Sequence, residues 1–245
     1  MNQVAKFASE VATNVEGLRQ DSELQALSLL WLQLSGKHRY TYNFSWMGRP
    51  VIQLPTDMMA LQEIIWQVKP DLIVETGVAH GGSLIFSASM LELIGGNGEV
   101  IGIDIDIREH NRHEIDRHPM SKRITLLEGS STSDSILTEV TRLAAGRKRV
   151  MVILDSDHTH AHVLKELKLY APLVSKNSYL VVLDTAIEDM PEGAFPDRSW
   201  GKGNNPKTAV WEFLRGNDRF EIDRDVEGKL LITVAPDGYL KCVRG

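Results

Sequence analysis

The 245-residue chain contains a single cysteine, Cys242, so it cannot form an internal disulfide. Disulfide frameworks belong to oxidising compartments, and a chain that lacks one is typical of a reducing compartment. The first residues also lack the basic start and apolar stretch of a signal peptide. We therefore expect a cytoplasmic protein.

Long apolar runs and an excess of basic residues are missing as well. A helix that spans a bilayer needs about 18 or more apolar residues in a row, and the sequence has no such run, so we expect no membrane span. Lysine and arginine number 27 against 33 acidic residues, for a formal net charge of -6. Binding to a nucleic-acid backbone needs a basic surface. The composition therefore argues against a nucleic-acid partner and leaves a small-molecule or glycan substrate open.

Apolar periodicity divides the chain into two regions. Residues 2–35 show helical spacing, and residues 38–55 are irregular and rich in aromatic side chains. Further along, helical patterns alternate with short apolar runs. The predicted helices cover 56–68, 82–94, 133–145, 160–170 and 208–215, and the predicted strands cover 72–74, 100–103, 124–127, 150–154, 179–183, 220–223 and 230–234. We predict a helical and aromatic extension over 1–55 and one α/β domain over 56–245.

The alternation of strands and helices predicts a Rossmann-like, doubly wound and mostly parallel sheet. The inner strands are continuous apolar runs, as expected for strands that are covered on both faces. Ligands bind such sheets at the carboxyl ends of the strands, near the switch in strand order. The residues that follow each predicted strand are therefore the first candidates for a site.

Polar residues follow all five inner strands. The first strand runs into a glycine-rich loop that contains Glu75, Gly77, His80, Gly82 and Ser83. The acceptors or potential ligands that follow the next four strands are Asp104, Ser130, Asp155, and Asp184 with Thr185. Because parallel strands end at the same edge of a sheet, we expect these side chains to converge.

The glycine-rich loop has more than one interpretation by itself. It lacks the lysine of a phosphate-binding loop and is not a strict G-x-G-x-x-G pattern, so a tight strand-to-helix turn would account for it. Asp104 favours a nucleoside cofactor, because an acid after the second strand accepts hydrogen bonds from ribose hydroxyls. A nicotinamide cofactor would use similar geometry, and the cofactor class stays open on these residues alone.

A run of longer motifs resembles the cephalosporin hydroxylase family. The segments that carry the resemblance are Tyr42–Pro50, Gln53–Asp57, Pro70–Ser83, Asp155–His158 and Asp184–Thr185. Together they span roughly residues 40–215. The family is built on a methyltransferase fold and is similar to rhamnosyl and macrolide-sugar O-methyltransferases.

The resemblance implies a seven-stranded methyltransferase sheet that binds S-adenosylmethionine (SAM) in the glycine-rich loop. It implies that Glu75 and Gly77 lie near the methionine part, that Asp104 holds the ribose and that Ser130 lies near the adenine. Loop residues His80, Gly82 and Ser83 are further candidates for cofactor binding.

The resemblance also implies a divalent metal, usually Mg2+, on Asp155 and Asp184. One departure affects this site, because the family places Glu-Asp after the fifth strand where this chain has Leu183-Asp184. Thr185, Asp157 or water are candidates for the missing ligand. The nearby acids Glu188 and Asp189 are others.

Methyl transfer to a hydroxyl needs a group that takes the proton, and His158 is our candidate base because imidazole titrates near neutral pH. The same histidine is equally consistent with the polar start of a helix. A non-haem iron hydroxylase built on His158, His162 and Asp157 is an alternative, as is a non-catalytic protein that binds the cofactor. We also expect residues 191–205 to form a lid, and the N-terminal aromatic region is a candidate for homo-oligomer formation.

Overall fold

The structure, a computed structural model, describes residues 2–245. Its central element is a seven-stranded sheet with strand order β5-β4-β3-β6-β7-β9-β8, in which the first five positions are parallel and β9 runs antiparallel to both neighbours. The strands are β3 (Leu72–Thr76), β4 (Glu99–Asp104), β5 (Ile124–Glu128), β6 (Val150–Leu154), β7 (Tyr179–Val182), β8 (Phe220–Ile222) and β9 (Tyr239–Cys242). The predicted fold class is confirmed.

Nine helices are found in the described part of the chain. They are α1 (Gln3–Gln20), α2 (Ser22–Gly36), α3 (Pro55–Val68), α4 (Gly82–Ile94), α5 (Glu109–Asp116), α6 (Asp134–Ala144), α7 (His160–Tyr170), α8 (Pro206–Arg215) and α9 (Arg224–Leu230). Asp21 separates α1 from α2, and its carboxylate accepts a hydrogen bond from the Leu24 amide as the cap of the second helix. None of these helices combines the length and the apolar character needed to cross a membrane.

Both faces of the sheet are covered, which explains the continuous apolar runs. Successive strand residues point to opposite faces, so that Ile73 packs on the side of α3 and α4 while Val74 packs on the side of α6, α7 and α8. Within β3 every side chain is buried. At roughly 25 cal/mol per Å2 of apolar surface removed from water, this burial is the main force that holds the layers together.

A small hairpin of β1 (Phe44–Trp46) and β2 (Arg49–Val51) packs beside the glycine-rich loop. Its turn places Met47 and Gly48 at positive φ, the backbone geometry of a tight two-residue hairpin turn. The Trp46 indole donates to Ser89 in α4, and Val51 is buried in the core. The domain boundary at residue 55 stays a prediction.

One prediction about the secondary structure is wrong, and one helix was missed. The predicted strand at 230–234 is wrong: α9 ends at Leu230, Leu231 has a φ of 58°, and the last strand lies at β9. The apolar segment is held instead by α3, because the buried Asp57 carboxylate accepts from the Thr233 hydroxyl and the Val234 amide. Helix α5 was not predicted, because only Asn111 and Ile115 are buried in it and the apolar stripe is missing.

Candidate active site

The site lies at the carboxyl ends of β3 and β6, where the strand order changes direction. A cavity of about 550 Å3 opens there, a size typical of small-ligand pockets. Gly77, Asp104, Ser130, Asp155 and Asp184 all line it, so the structure brings together one predicted residue from each of five strand ends. The other lining residues are Tyr42, Ile52, Ala79, Ile103, Ile105, Ser131, Ser156, Asp157, His158 and His162.

Two glycines of the loop are required by contacts within the protein itself. Gly77 has a φ of 92°, and a Cβ atom there would collide with the backbone carbonyl of Asp155. A Cβ atom on Gly82 would collide with the carbonyl of Pro50 in the hairpin. The loop is therefore packed tightly between β6 and the hairpin, and substitution of either glycine would displace one of these neighbours.

Asp104 holds the glycine-rich loop from the next strand. Its Oδ2 atom accepts from the backbone amides of Val78, at 2.8 Å, and Ala79, at 3.3 Å. Its Oδ1 atom accepts from the Asp106 amide at 3.2 Å. A carboxylate has about four lone-pair sites, so Asp104 retains acceptor capacity toward the cavity that it lines.

Arg49 and Asn111 hold the other side of the loop. The Arg49 guanidinium donates twice to the carbonyl of His80 and once to the Asn111 side chain. The Asn111 amide donates to the Ala79 carbonyl at 2.9 Å, and its oxygen lies 3.3 Å from the His80 ring. The His80 ring is thus oriented by Asn111, and it lines a smaller cavity of about 40 Å3 with Gly82 and Ser83.

Glu75 lies behind the loop and outside both cavities. Its side chain is buried and accepts a hydrogen bond from the Ser83 hydroxyl. Burial raises the pKa of Glu75 to about 7, and the Ser83 hydrogen bond offsets part of that rise. Among the described residues, nothing donates to its second carboxylate oxygen.

Three potential metal ligands meet in the wall of the cavity. Oxygen atoms of Asp155 and Asp184 and a ring nitrogen of His158 all lie within 4.8 Å of one another. Burial raises the pKa of Asp155 well above its usual range, and the negative charges of Asp184, Glu75 and Glu166 raise it further. We call Asp155, His158 and Asp184 the strand-end triad; it concentrates two carboxylates where a cation would offset their repulsion.

The family departure at Leu183 coincides with a buried apolar position. Leu183 is buried and belongs to the core cluster on the side of α3 and α4. Asp184 then adopts a left-handed backbone with a φ of 55°, and a short 3-10 helix, Thr185–Asp189, follows it. Position 183 therefore supplies packing in this chain, and the triad contains two carboxylates.

Thr185 is placed away from the triad. It is fully buried, its hydroxyl donates to the Pro236 carbonyl, and it is absent from the described residues that line either cavity. Glu188 and Asp189 also have other partners. Glu188 accepts from the Gly203 amide and the Asn205 side chain, while Asp189 pairs with Lys207 at 2.7 Å. These contacts fix both ends of the loop that follows.

The loop over residues 191–205 reaches the triad through Trp200. Its indole meets the His158 ring edge-on, with ring centroids 5.2 Å apart. Phe195 packs on Trp200 at 4.7 Å, and the Arg198 guanidinium lies 5.5 Å from the Trp200 ring centroid. This cluster forms an amphipathic wall beside the triad, and its role as a lid stays a prediction.

His162 lies in the same cavity as His158 but has different partners. Its Nε2 atom lies 3.3 Å from the buried carboxylate of Glu166 and 3.2 Å from the hydroxyls of Ser131 and Ser156. The hydrogen bond with Glu166 raises the pKa of His162. A set of two histidines and one carboxylate around a shared metal position is not formed in the described part of the chain, which disfavours the iron hydroxylase alternative.

Comparisons with known proteins agree with this geometry. A family model described as "Rhamnosyl O-methyltransferase/CmcI" matches residues 38–243. A rhamnosyl O-methyltransferase of Mycobacterium tuberculosis is 33% identical over 213 residues, which cover 83% of this chain and 82% of that protein.

Two solved structures of CmcI share the fold. An apo form has a TM-score of 0.57 at 22% identity, and a form with Mg and SAM has a TM-score of 0.55 at 21% identity. Each match covers 83% of this chain and 78% of the other. The resemblance to the cephalosporin hydroxylase family is confirmed, and the chain belongs to the rhamnosyl O-methyltransferase/CmcI family.

Proposed function

We propose that the protein is a SAM-dependent O-methyltransferase that acts on a sugar hydroxyl with the help of a divalent metal ion, Mg2+. The observation that carries the proposal is that the strand-end triad lines the same cavity as Gly77 and Asp104. The M. tuberculosis relative is named for rhamnosyl O-methylation, and one CmcI structure contains Mg and SAM. These names support the substrate class and the cofactors.

The cavity wall suits a nucleoside cofactor. Asp104 presents a carboxylate for the ribose hydroxyls, and Ser130 presents a hydroxyl near the next strand end for the adenine side. Gly77 lines both cavities where we expect the methionine part, with His80, Gly82 and Ser83 around the smaller one. Glu75 supports the loop from behind through Ser83. When bound, SAM supplies a methyl group on a positively charged sulfur.

The donor set of the triad suits a hard divalent cation. Asp155 and Asp184 offer carboxylate oxygens, which Mg2+ prefers, and water fills the remaining positions in most Mg2+ sites. His158 is the third member of the cluster, and in this proposal it acts as the base and not as a ligand. When bound, Mg2+ supplies a Lewis acid that lowers the pKa of an acceptor hydroxyl.

His158 is the base in this proposal. Its ring is half-buried, its Nε2 atom faces Asp184 and its other side is covered by Trp200. Asp184 can accept from the protonated imidazole and so stabilise the charge that forms when His158 takes a proton from the acceptor hydroxyl. Trp200 limits the orientations of the ring and offers a flat face to a sugar.

The test is methyl transfer to a panel of glycosides. The purified protein is incubated with methyl-labelled SAM, Mg2+ and acceptors that carry rhamnose or other deoxy sugars, with the matching aglycones as controls. We expect label in a methoxy group of the sugar. Binding of SAM without transfer to any glycoside would contradict the proposal and favour a non-catalytic role, and tight NAD binding without SAM binding would contradict the cofactor assignment.

A further inference from the structure

Helix α2 carries an apolar stripe that faces solvent. Leu27, Leu30, Trp31 and Leu34 follow the i, i+3, i+4, i+7 spacing of one helix face. Their exposed fractions lie between 37% and 61%. We call these four side chains the α2 stripe. A stripe of this width normally packs against another surface, because leaving it in water forgoes the free energy of its burial.

The stripe is part of a wider concentration of exposed apolar side chains. Among the described residues, eight of the fifteen large apolar side chains that are exposed lie between residues 4 and 34. Within the described helices α1 and α2, only Ser28 is buried. On α1, Val4, Phe7 and Val11 form a second row at spacings of three and four. The two helices thus contribute little to the core of their own chain.

The accessible surface of the whole chain is also larger than a compact monomer needs. It measures 12553 Å2. A compact monomeric protein of 27.4 kDa exposes about 10,900 Å2. The excess of about 1,600 Å2 exceeds the roughly 800 Å2 that each partner buries in a standard protein interface. There is therefore enough surplus surface for a stable dimer contact.

The stripe is held in a fixed orientation by aromatic contacts. Trp31 meets the Tyr40 ring edge-on at 4.9 Å, and Tyr40 meets Phe44 of β1 in the same manner at 5.1 Å. Two side chains of the α2 stripe, Trp31 and Leu34, thus lie at the end of α2 that is anchored on the hairpin. Preorganised apolar surface binds a partner at a lower entropic cost than a mobile segment does.

Charge decides between the possible occupants. Residues 2–36 contain two basic and four acidic residues, and α2 itself has one acidic and no basic residue. An anionic membrane surface attracts basic helices and would repel this one. An uncharged stripe is complementary to itself, as the isologous contact of a two-fold dimer requires.

We propose that the α2 stripe packs against the α2 stripe of a second copy of this chain, to form a two-fold symmetric dimer. Leucines and a tryptophan from each helix form the core of the contact. The active site of each copy lies in its own sheet, so the dimer does not depend on the proposed methyl transfer.

The test is the mass of the full-length protein in solution. Sedimentation velocity and light scattering across a wide range of protein concentration should give twice the chain mass of 27.4 kDa. The double variant Leu27→Glu/Leu34→Glu should dissociate, with a dimer dissociation constant at least about 100-fold weaker, because it places four charges in an apolar contact. Gln33→Glu adds one charge to the same helix, about 100° or more around its axis from both Leu27 and Leu34, and should stay dimeric.

A second variant tests the contact without added charge. Leu30→Cys should be joined into a covalent dimer by a short bismaleimide, whereas the wild-type chain should not, since its one cysteine is buried. Far-UV circular dichroism of each variant checks that it is folded. A wild-type monomer at every concentration, a dimer that survives both glutamates, an unlinked Leu30→Cys protein, or a monomer that binds anionic vesicles would each overturn the proposal.

Discussion

The Nε2 atom of His158 lies 3.4 Å from the Oδ2 atom of Asp184, which joins the loop after β6 to the loop after β7. This contact places a hydrogen-bond acceptor beside the His158 ring and places an imidazole beside the Asp184 carboxylate. The proposed roles of base and metal ligand therefore depend on one another, and substitutions can separate them.

We expect His158→Gln to lower kcat by a factor of about 100 to 10,000, the usual contribution of a general base. The affinity for SAM should stay unchanged, because His158 lies on the acceptor side of the site. Activity assays over a series of pH values measure kcat. The wild-type kcat should fall toward acidic pH, and the variant should lack this fall. His160→Gln is the matched control, since His160 bonds to Thr208 and Glu212 instead. A pH profile unchanged by His158→Gln would contradict the assignment.

We expect Asp155→Asn to weaken Mg2+ binding by at least about 10-fold, because it removes a charged ligand from the triad. Titration calorimetry with Mg2+ in the presence of SAM measures the change directly. Asp157→Asn is the comparison. Asp157 lines the cavity but lies outside the triad, and its carboxylate accepts a hydrogen bond from the Thr159 amide. Equal losses in the two variants, or no loss in Asp155→Asn, would contradict a metal site formed by the triad alone.

We expect Asp104→Asn to weaken SAM binding by about 10-fold or more, because charged hydrogen bonds contribute about 1.5–3 kcal/mol each. The variant also turns an NH2 group toward a backbone donor, either the Val78 and Ala79 amides or the Asp106 amide, and so loses one of these hydrogen-bond acceptors. Calorimetry measures the dissociation constant. Asp106→Asn, two residues on and exposed, should bind SAM normally, and an unchanged constant in Asp104→Asn would remove Asp104 from the cofactor site.

We expect Trp200→Ala to raise the KM for a glycoside acceptor by about 10-fold, because a flat aromatic ring is lost from the acceptor wall. The dissociation constant for SAM should not change. Steady-state kinetics at saturating SAM measure the acceptor KM, and calorimetry measures the dissociation constant for SAM. Trp66→Ala, on the exposed side of α3, is the control. A loss of SAM affinity with an unchanged acceptor KM would place Trp200 on the cofactor side.

The buried Asp57 gives the stability of the fold a dependence on pH. Burial raises its pKa from 3.8 to about 6, although hydrogen bonds from Thr233, Val234 and Tyr239 oppose the rise. Folding therefore favours the protonated form, so this group stabilises the fold below pH 3.8 and loses that contribution as the pH rises through about 6. The change amounts to about 3 kcal/mol.

Urea unfolding of the wild type and of Asp57→Asn over this pH range measures that contribution. The difference in the free energy of unfolding should shift in favour of the wild type as the pH falls. A pH-independent difference would contradict the raised pKa. Glu75 and Asp155, which are further buried carboxyl groups, are present in both proteins. Their contributions to the pH dependence therefore cancel in the difference.

The five parallel strands and the polar residues at their ends were predictable because each strand is a mostly apolar run that is followed by a polar residue. The strand at 230–234 could not be rejected on the same rule. The structure of this segment depends on Asp57, which lies about 175 residues earlier and accepts hydrogen bonds from Thr233 and Val234. Local hydrophobicity carries no information about such a distant partner.

The site was predictable where strand ends determine it and unpredictable where other elements reach it. Asp104, Ser130, Asp155 and Asp184 follow strands, and all line the cavity. Arg49 and Asn111, which hold the glycine-rich loop, come from the hairpin and from the unpredicted α5. The apolar side chain at Leu183 was visible in the sequence as a departure from the family, and it continues the core-facing alternation of Tyr179 and Val181.

The most direct test of the proposed triad is the dependence of methyl transfer on Mg2+ in enzyme stripped with EDTA, for the wild type and for Asp184→Asn. We expect the stripped wild type to lose transfer and to regain it in a saturable manner as Mg2+ is added. Asp184→Asn should need much more Mg2+ and reach a lower rate. Full activity of the stripped wild type, or an identical Mg2+ response in Asp184→Asn, would contradict a metal site built on the strand-end triad.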